Sequence, residues 1–191
     1  MTDDKQARGT ASYLFEAGML KRAKRQGWWI AGVKDPESIA EHSFRTGIIG
    51  AVLAMMEGAD PAKVALLCLF HDTQETRVSD IPHISRRYLT AASNERVTAD
   101  QVSAAHPAVV AGLQALIEEY ENAENLEVTV AHDADKLECL IQAVEYREQG
   151  YQNVQPWIDS SLGSLKTESA HALAEAALTM TSLEWQKVYL A

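Results

Sequence analysis

Two histidines and an aspartate are the side chains of this sequence whose types and positions best suit chemistry. His71 and Asp72 end the most apolar stretch of the chain, VALLCLF, where an imidazole and a carboxylate are costly to bury without a partner. His42 shares a face at helical spacing with Ile39 and Leu53, where a histidine is more often a hydrogen-bonded core residue than a ligand. If two packed helices bring His42 beside the His-Asp pair, however, the three side chains can hold a divalent cation.

A fourth ligand for such a cation could come from the segment AHDADKLE. Asp133 and Asp135 are about 200° apart on a helix, so an unbroken helix directs only one of them inward. Asp135 is in line with Val128 and Cys139, and Asp133 lies nearer to Leu137. Both faces are apolar, so the periodicity leaves both aspartates open. Either one would complete a nitrogen and oxygen site suited to manganese, iron, cobalt or a similar ion.

Helical spacing of apolar residues predominates in the stretches around these residues, and strict alternation, which is typical of strands, is rare. Five prolines and ten glycines fall mostly between the helical stretches. The predicted helices span residues 12–25, 38–58, 61–72, 108–120, 128–149 and 167–190. The polar segment 73–100 is predicted to form an active-site loop followed by short helical pieces. With no internal repeat and no long linker, residues 1–191 are predicted to form one all-α, single-domain bundle.

Local signals define the ends of the two helices that carry the histidines. Ser38 and Glu41 have the spacing of a capping box, which predicts the start of the first helix. This helix is predicted to end at Gly58. Asp60 and Pro61 then match the N-cap and the first helical position of the second helix.

The composition excludes several classes of protein. With 47% hydrophobic and 23% charged residues in a length of 191, the chain is typical of one globular domain and not of a disordered or collagen-like protein. The net charge of −10 disfavours binding of a long nucleic acid. A small phosphorylated ligand remains compatible, because a metal ion could supply positive charge in its pocket.

The sequence also indicates a location. The longest apolar run, VALLCLF, is far shorter than the ~20 residues that a transmembrane helix needs. The N-terminal sequence MTDDKQARGT is polar and acidic, without the features of an export signal. Cys68 and Cys139 lie in apolar helical stretches, which favours reduced core thiols over a disulfide framework. We therefore expect a cytoplasmic protein without membrane contact.

The ordered set of motifs resembles the HD-domain metal-dependent phosphohydrolases. EHS, an HD dipeptide that closes a hydrophobic helix, and ADKLE follow one another as in that family. The resemblance is closest to its 5′-deoxynucleotidase branch, which hydrolyses deoxyribonucleoside monophosphates. It extends to LKRAKRQGWWIAGVKDPESIAEHSFR, LLCLFHDTQETRVSDIP and HDADKLECLIQAVEY, and covers roughly residues 14–149. An HD dipeptide alone is common, but the ordered set is specific. The resemblance implies an HD-type helical bundle that removes the 5′-phosphate from (deoxy)ribonucleoside monophosphates.

The resemblance also implies site residues. The metal ligands would be His42, His71, Asp72 and Asp135, holding one divalent cation such as Mn, Co, Fe or Mg. Asp135 is selected over Asp133 because the family's final aspartate directly precedes the Lys-Leu of ADKL. Members of the branch also use a glutamate three residues after the HD aspartate and an aspartate five residues further on, which are Glu75 and Asp80 here. These two are the predicted catalytic residues.

Physical reasoning agrees with those roles. On a continued helix Glu75 would face the same site as His71 and Asp72. A carboxylate beside a metal-activated water can accept its proton or hold the water in line with phosphorus. Asp80 could accept a sugar hydroxyl or position the nucleophile.

Substrate contacts are predicted for Arg25, Trp28, Asp80 and His83. An arginine shortly before the metal histidine binds the substrate phosphate in the family, and its planar guanidinium suits phosphate oxygens. Arg25 fits best, although Arg22 and Lys24 are near enough to leave the register open. Trp28 could form a wall of a base pocket, and His83 follows a proline near the expected mouth of the site.

The sequence is also compatible with two other functions and with an assembly of two chains. A dinuclear HD phosphodiesterase or di-iron oxygenase would need further histidine ligands, which only His83, His106 and His132 could supply. A nucleotide-binding module that has lost turnover would keep the same residues. Members of the family are often homodimers, and the Ala- and Leu-rich helix 167–190 could form such an interface or pack on the rest of the domain.

Overall fold

The computed structural model describes residues 2–190, which form α-helices and short 3₁₀ turns without a β-strand. The helices are α1 Thr2–Ala17, α2 Gly27–Ile30, α3 Ile39–Glu57, α4 Pro61–Phe70, α5 Glu75–Val78, α6 Asn94–Val102, α7 Pro107–Asn122, α8 Leu126–Glu148, α9 Gln155–Leu162, α10 Glu168–Thr179 and α11 Lys187–Leu190. The predicted all-α, single-domain helical bundle is therefore confirmed. None of these helices is both long and apolar enough to cross a bilayer.

Helices α3, α4 and α8 form the centre of the bundle, and α9 and α10 pack on α8. Leu53 of α3, Leu67 of α4 and Leu140 of α8 are fully buried where the three helices meet. Gly50 allows α3 to approach α4, because a Cβ at this position would lie 2.6 Å from the Sγ atom of Cys68. The helices that carry the HD motif are thus held at close range by packing.

The helix ends predicted from local signals are found in the structure. Ser38 Oγ accepts a hydrogen bond from the Glu41 amide, and Glu41 Oε2 accepts one from the Ser38 amide, which completes the capping box. Helix α3 ends at Glu57 and is capped by Gly58, whose φ of 77° lies in the left-handed region that favours glycine. Asp60 Oδ1 accepts from two amides in the first turn of α4, with Pro61 at the first helical position.

The first helix differs from the predicted one over residues 12–25. It starts at Thr2 and ends at Ala17, and residues 18–21 form a 3₁₀ turn. Residues 2–11 contain few apolar side chains, so hydrophobic periodicity does not reveal this helix. Its position depends on Gly9, where a Cβ would lie 1.8 Å from the carbonyl oxygen of Ala104. Packing against a distant segment therefore decides where α1 lies.

The predicted C-terminal helix over residues 167–190 is divided. Helix α10 ends at Thr179, Met180 is extended, and a separate short helix begins at Lys187. The Ser182 amide donates to Glu148 Oε1 at 3.0 Å, at the end of α8. This contact turns the chain away from the axis of α10, which itself packs on α8 and α3.

Candidate active site

His42, His71, Asp72 and Asp135 come from three separated segments and meet at the centre of the bundle. His42 Nε2 lies 3.3 Å from Asp135 Oδ1 and 3.6 Å from Asp72 Oδ2. His71 Nε2 lies 3.2 Å from Asp72 Oδ2 and 3.8 Å from Asp135 Oδ1. The four side chains predicted as metal ligands are thus brought together around one point.

The two histidines have the hydrogen bonding that a metal ligand requires. The Nδ1 atom of His42 lies 2.5 Å from Glu138 Oε2, and Nδ1 of His71 lies 2.7 Å from the carbonyl oxygen of Cys68. Within residues 2–190, both Nε2 atoms are buried without a hydrogen-bond partner. A histidine whose Nδ1–H is donated presents the Nε2 lone pair to a cation. Ligand atoms of His42, His71 and Asp135 all lie within 4.8 Å of one another, so the residues fit a divalent cation.

Electrostatics in the absence of a cation agrees with this arrangement. Burial and Arg25 oppose protonation of His42, but Glu138 and Asp135 outweigh them and raise its pKa to about 10. Burial opposes the ionisation of Asp135, but the close approach of the two histidine rings holds its pKa well below the usual value. The site therefore keeps a proton on His42 beside an ionised carboxylate. A cation that binds there must displace this proton.

The two aspartates of the ADKL region face different parts of the molecule. Asp135 points to the histidine pair, whereas Asp133 is buried on the other side of α8. The Asp133 carboxylate accepts hydrogen bonds from the amides of Lys166 and Thr167 and from the Thr167 hydroxyl, just before α10. Asp133 thus has a structural role, and the geometry agrees with the selection of Asp135.

The helix that leads to the HD pair does not continue to Glu75. Helix α4 ends at Phe70, and residues 71–74 form turns before α5 begins. The expectation of one continued helix is therefore wrong. The hydroxyl of Thr73 donates to the Phe70 carbonyl at 2.9 Å and the Thr73 amide bonds to the same oxygen, a local pattern that replaces the regular α-helical bond.

Glu75 reaches the site in spite of this break. It lines the same cavity as Asp72, and its Oε2 atom is buried without a hydrogen-bond partner among the described residues. Burial, together with the charges of Asp72 and Asp80, raises the pKa of Glu75 to about 9. A carboxyl group so perturbed inside a cleft is typical of functional sites.

Of the three basic residues that are candidates for the phosphate contact, Arg25 enters the cavity, and Arg22 and Lys24 do not. Arg25 Nη1 lies 3.3 Å from Asp72 Oδ2, and its side chain is only 18% exposed. Arg22 lies on the surface, and the Lys24 ammonium pairs with Asp35 at 2.8 Å. Arg25 is therefore the candidate of the three that can reach a ligand beside Asp72.

Asp80 lies at the edge of the same cavity. Its Oδ2 atom accepts a hydrogen bond from the Gln26 amide at 2.6 Å, which links the loop after α5 to the segment of Arg25. Ser79, directly before Asp80, has a backbone φ of 66°, a value that residues other than glycine rarely adopt. Strain of this kind is held in place by surrounding structure and is common at functional sites.

The cavity has a volume of about 540 Å³, and its walls extend beyond the metal-ligand candidates. His83 and Trp28, for which substrate contacts are predicted, both line it. Trp28 is almost completely buried, donates Nε1–H to Glu37 Oε1 at 2.9 Å and stacks on Trp157 at 5.7 Å between ring centroids. The other lining residues include the cations Arg86 and Lys136, together with apolar side chains and hydroxyls such as Ile30, Ile84, Pro156, Ser160, Ser161 and Ser164.

Sequence reasoning missed a buried network behind His42. Glu138 is fully buried, and its second oxygen, Oε1, accepts from Arg45 at 2.8 to 3.0 Å. Arg45 also binds the carboxylate of Glu145 at 2.8 Å and the side-chain oxygen of Gln142 at 2.7 Å. This network holds the carboxylate that orients His42. The signal was present, because Arg45 and Glu138 each lie three residues after a predicted ligand.

The remaining histidines lie outside the site. His106 caps α7, with Nδ1 accepting from the Ala108 amide at 3.2 Å. His132 stacks on Tyr120 with ring centroids 4.5 Å apart, and its Nε2 contacts the carbonyl oxygen of Tyr120. Neither supplies the further ligand that a dinuclear histidine-rich site would need. The serines of α9 line the cavity although no sequence motif predicts it, and Lys136, the lysine of ADKL, lines it although it is not among the predicted site residues.

Comparisons with known proteins agree with this geometry. A family model described as HD domain matches residues 17–177. The chain is 30% identical over 160 residues to the 5′-deoxynucleotidase HDDC2 of Dictyostelium discoideum, covering 76% of this chain and 84% of that protein. It is 29% identical to the human 5′-deoxynucleotidase HDDC2 over 82% of this chain and 78% of that one. A solved structure of a conserved hypothetical protein from Pyrococcus furiosus superposes with a TM-score of 0.73 at 30% identity, covering 90% of this chain and 100% of the other.

Proposed function

Because the chain belongs to the HD domain family, we propose that it is a metal-dependent phosphohydrolase that removes the 5′-phosphate from nucleoside monophosphates, above all deoxyribonucleotides. The observation that carries this proposal is the pair of buried, unpartnered histidine Nε2 atoms that face two carboxylates at the end of a cavity. The names of the similar proteins from Dictyostelium and human support the same reaction.

We propose that His42, His71, Asp72 and Asp135 hold one divalent cation, such as Mn, Co, Fe or Mg. Their imidazole and carboxylate groups accept several such ions. When bound, the cation supplies positive charge that neutralises phosphate oxygens and makes a water molecule more acidic.

The other side chains act on the substrate directly. Arg25 donates its guanidinium N–H groups to phosphate oxygens, which it can do from its position beside Asp72. Glu75, which lines the cavity beside Asp72, accepts the proton of the attacking water when the charge of a bound cation keeps its carboxylate ionised. Asp80 holds that water or a sugar hydroxyl at the edge of the cavity. Trp28 and His83 form part of the wall around the nucleoside.

The assay is release of inorganic phosphate from a panel of deoxyribo- and ribonucleoside 5′-monophosphates with Mn²⁺, Co²⁺ or Mg²⁺. We expect turnover by the wild type, none after chelation, and a loss of at least about a hundredfold in Asp72→Ala. Asp100→Ala, at an exposed position of α6, is the matched control and keeps wild-type activity. Equal activity of wild type and Asp72→Ala would refute the proposal, as would the absence of product with every metal.

We further propose a homodimer, through the exposed side of α3. Phe44, Ile48 and Met55 are spaced so that they share one face of this helix, and each is half or more exposed. Leu69 of α4 lies against Gly47 and extends the patch. Contiguous apolar surface of this kind favours association, and a second copy is the partner expected of the family. Light scattering after gel filtration should give the wild type twice the mass of one chain. The Met55→Glu variant should have the mass of a single chain.

A cytoplasmic location stays a prediction. It is supported by the two free cysteines, Cys68 and Cys139. Burial raises the pKa of Cys68 to about 12 and that of Cys139 to about 11, so both remain thiols near neutral pH.

A further inference from the structure

The ammonium of Lys136 lies in the cavity against the carboxylate of its neighbour Asp135. Its Nζ atom is 2.7 Å from Asp135 Oδ2, whereas the other oxygen of the same carboxylate, Oδ1, lies 3.3 Å from His42 Nε2. Asp135 therefore presents one oxygen to the histidine pair and the other to a lysine.

Lys136 has hydrogen-bonding capacity that the protein does not use. An ammonium carries three N–H donors. Within residues 2–190, the side chain of Lys136 makes one hydrogen bond, to Asp135. The side chain is 43% exposed and lines the cavity together with Glu75 and Asp80. Donors are therefore available to a ligand that enters the cavity.

The charges that line the cavity indicate a role for Lys136 in binding an anion. Four acidic side chains line the cavity, and their ionised carboxylates would repel a phosphate group by themselves. Arg25 lies beside Asp72, and Lys136 lies beside Asp135. Each of the two carboxylates that face the histidine pair thus has a cation of its own, contributed by a different segment of the chain.

We propose that Lys136 is a substrate-binding residue whose ammonium donates to a non-bridging oxygen of the substrate phosphate, together with Arg25. This inference rests on the proposed function, because it takes the ligand to be a phosphate monoester. It differs from a role as counterion to Asp135. A counterion changes the affinity for the metal ion, whereas a phosphate-binding group changes the affinity for phosphate when the metal ion is saturating.

The experiment compares Lys136→Met and Lys136→Gln, which remove the charge, with Lys136→Arg, which keeps it. Lys166→Met, at an exposed lysine outside the cavity, is the control. Isothermal titration calorimetry gives the dissociation constant of inorganic phosphate at Mg²⁺ concentrations that saturate each variant. The Mg²⁺ affinity of each variant is measured separately, and KM for a deoxyribonucleoside monophosphate is the third quantity.

Both neutral variants should bind phosphate about tenfold more weakly, with KM raised by a similar factor, because a charge-assisted hydrogen bond is lost. Lys136→Arg and Lys166→Met should stay within about threefold of wild type. The proposal is overturned if the neutral variants lose less than about threefold in phosphate affinity. It is also overturned if their loss of affinity disappears once Mg²⁺ saturates the site. Calorimetry needs no turnover, so failure to hydrolyse nucleotides would contradict the proposed function alone.

Discussion

The Nδ1 atom of His42 lies 2.5 Å from Oε2 of Glu138, so a buried carboxylate orients this imidazole from the side opposite to the metal-ligand candidates. The other proposed histidine ligand, His71, contacts a neutral backbone carbonyl through its Nδ1 atom. A carboxylate partner raises the basicity of a ligating histidine more than a carbonyl does. His42 is therefore expected to bind a cation more strongly than His71, with Arg45 holding Glu138 in place.

Replacing Glu138 by glutamine should weaken metal binding by about tenfold to a hundredfold. The amide oxygen can still accept from His42, but the negative charge is gone. The dissociation constant of Mn²⁺ is measured by competition with a chromogenic chelator. Glu145→Gln is the matched control, because Glu145 also binds Arg45 but does not contact His42. An equal loss of affinity in both variants would show that Arg45 alone matters.

Replacing Arg25 by alanine should raise KM for the nucleotide by about tenfold or more, because a guanidinium that reaches phosphate is removed. Steady-state assays of phosphate release at saturating Mn²⁺ measure this change. Arg22→Ala should leave KM within about twofold of wild type, since Arg22 lies on the surface. A larger increase in KM for Arg22→Ala than for Arg25→Ala would show that Arg22, and not Arg25, contacts the phosphate.

The stability of the cation-free protein should fall as pH rises above neutrality. The pKa of Glu75 is raised from 4.5 to about 9 and that of His42 from 6.5 to about 10. Both groups bind their proton more tightly in the folded chain, so their stabilisation is complete below the unfolded-state pKa and is lost as pH rises through the folded-state pKa. Urea unfolding in a chelator between about pH 6.5 and 9.5 measures the decline.

Added Mn²⁺ should reduce this decline, because the cation takes the place of the proton on His42. The same urea titrations with saturating Mn²⁺ provide the comparison. A free energy of unfolding that increases with pH in the chelator would contradict the assignment of raised pKa values to His42 and Glu75.

Replacing Gly50 by alanine should destabilise the protein by about 1–3 kcal/mol, although alanine is the better helix former. The new Cβ would lie 2.6 Å from the Cys68 Sγ atom and 3.0 Å from a methyl group of Val64, so α3 and α4 must separate. Gly112→Ala is the control, because nothing lies within 4 Å of its Cβ position, and it should stabilise α7 by a few tenths to about 1 kcal/mol. Urea unfolding gives both values, and adding Cys68→Ala to the Gly50 variant should restore part of the loss.

Features encoded by neighbouring residues could be predicted from the sequence. The capping box at Ser38, the stop at Gly58 and the start at Asp60 depend on side chains within a few residues of one another. The ordered HD motifs also pointed to side chains that the fold brings together, because each motif lies on a helix or directly after one.

Other features depend on contacts between distant segments. Hydrophobic periodicity could not choose between Asp133 and Asp135, because both faces of α8 are buried, one by the site and one by the start of α10. The break after Phe70 arises from a threonine that bonds to a nearby carbonyl, which the strongly apolar pattern concealed. The α9 serines join the cavity only through tertiary packing, so no motif predicts them, and the ADKL motif predicts a role for Asp135 without assigning one to Lys136.

The segment after α9 stabilises the part of α8 that carries the site, because it hydrogen-bonds to the buried carboxylate of Asp133. Two amides and a hydroxyl from Lys166 and Thr167 are the donors that this buried group contacts. A chain truncated before Lys166 would leave an anion stranded inside α8, one helical turn or less from Asp135. The smallest active fragment is therefore expected to extend well past the ADKL motif, and trimming the protein to its HD motifs should yield an insoluble product.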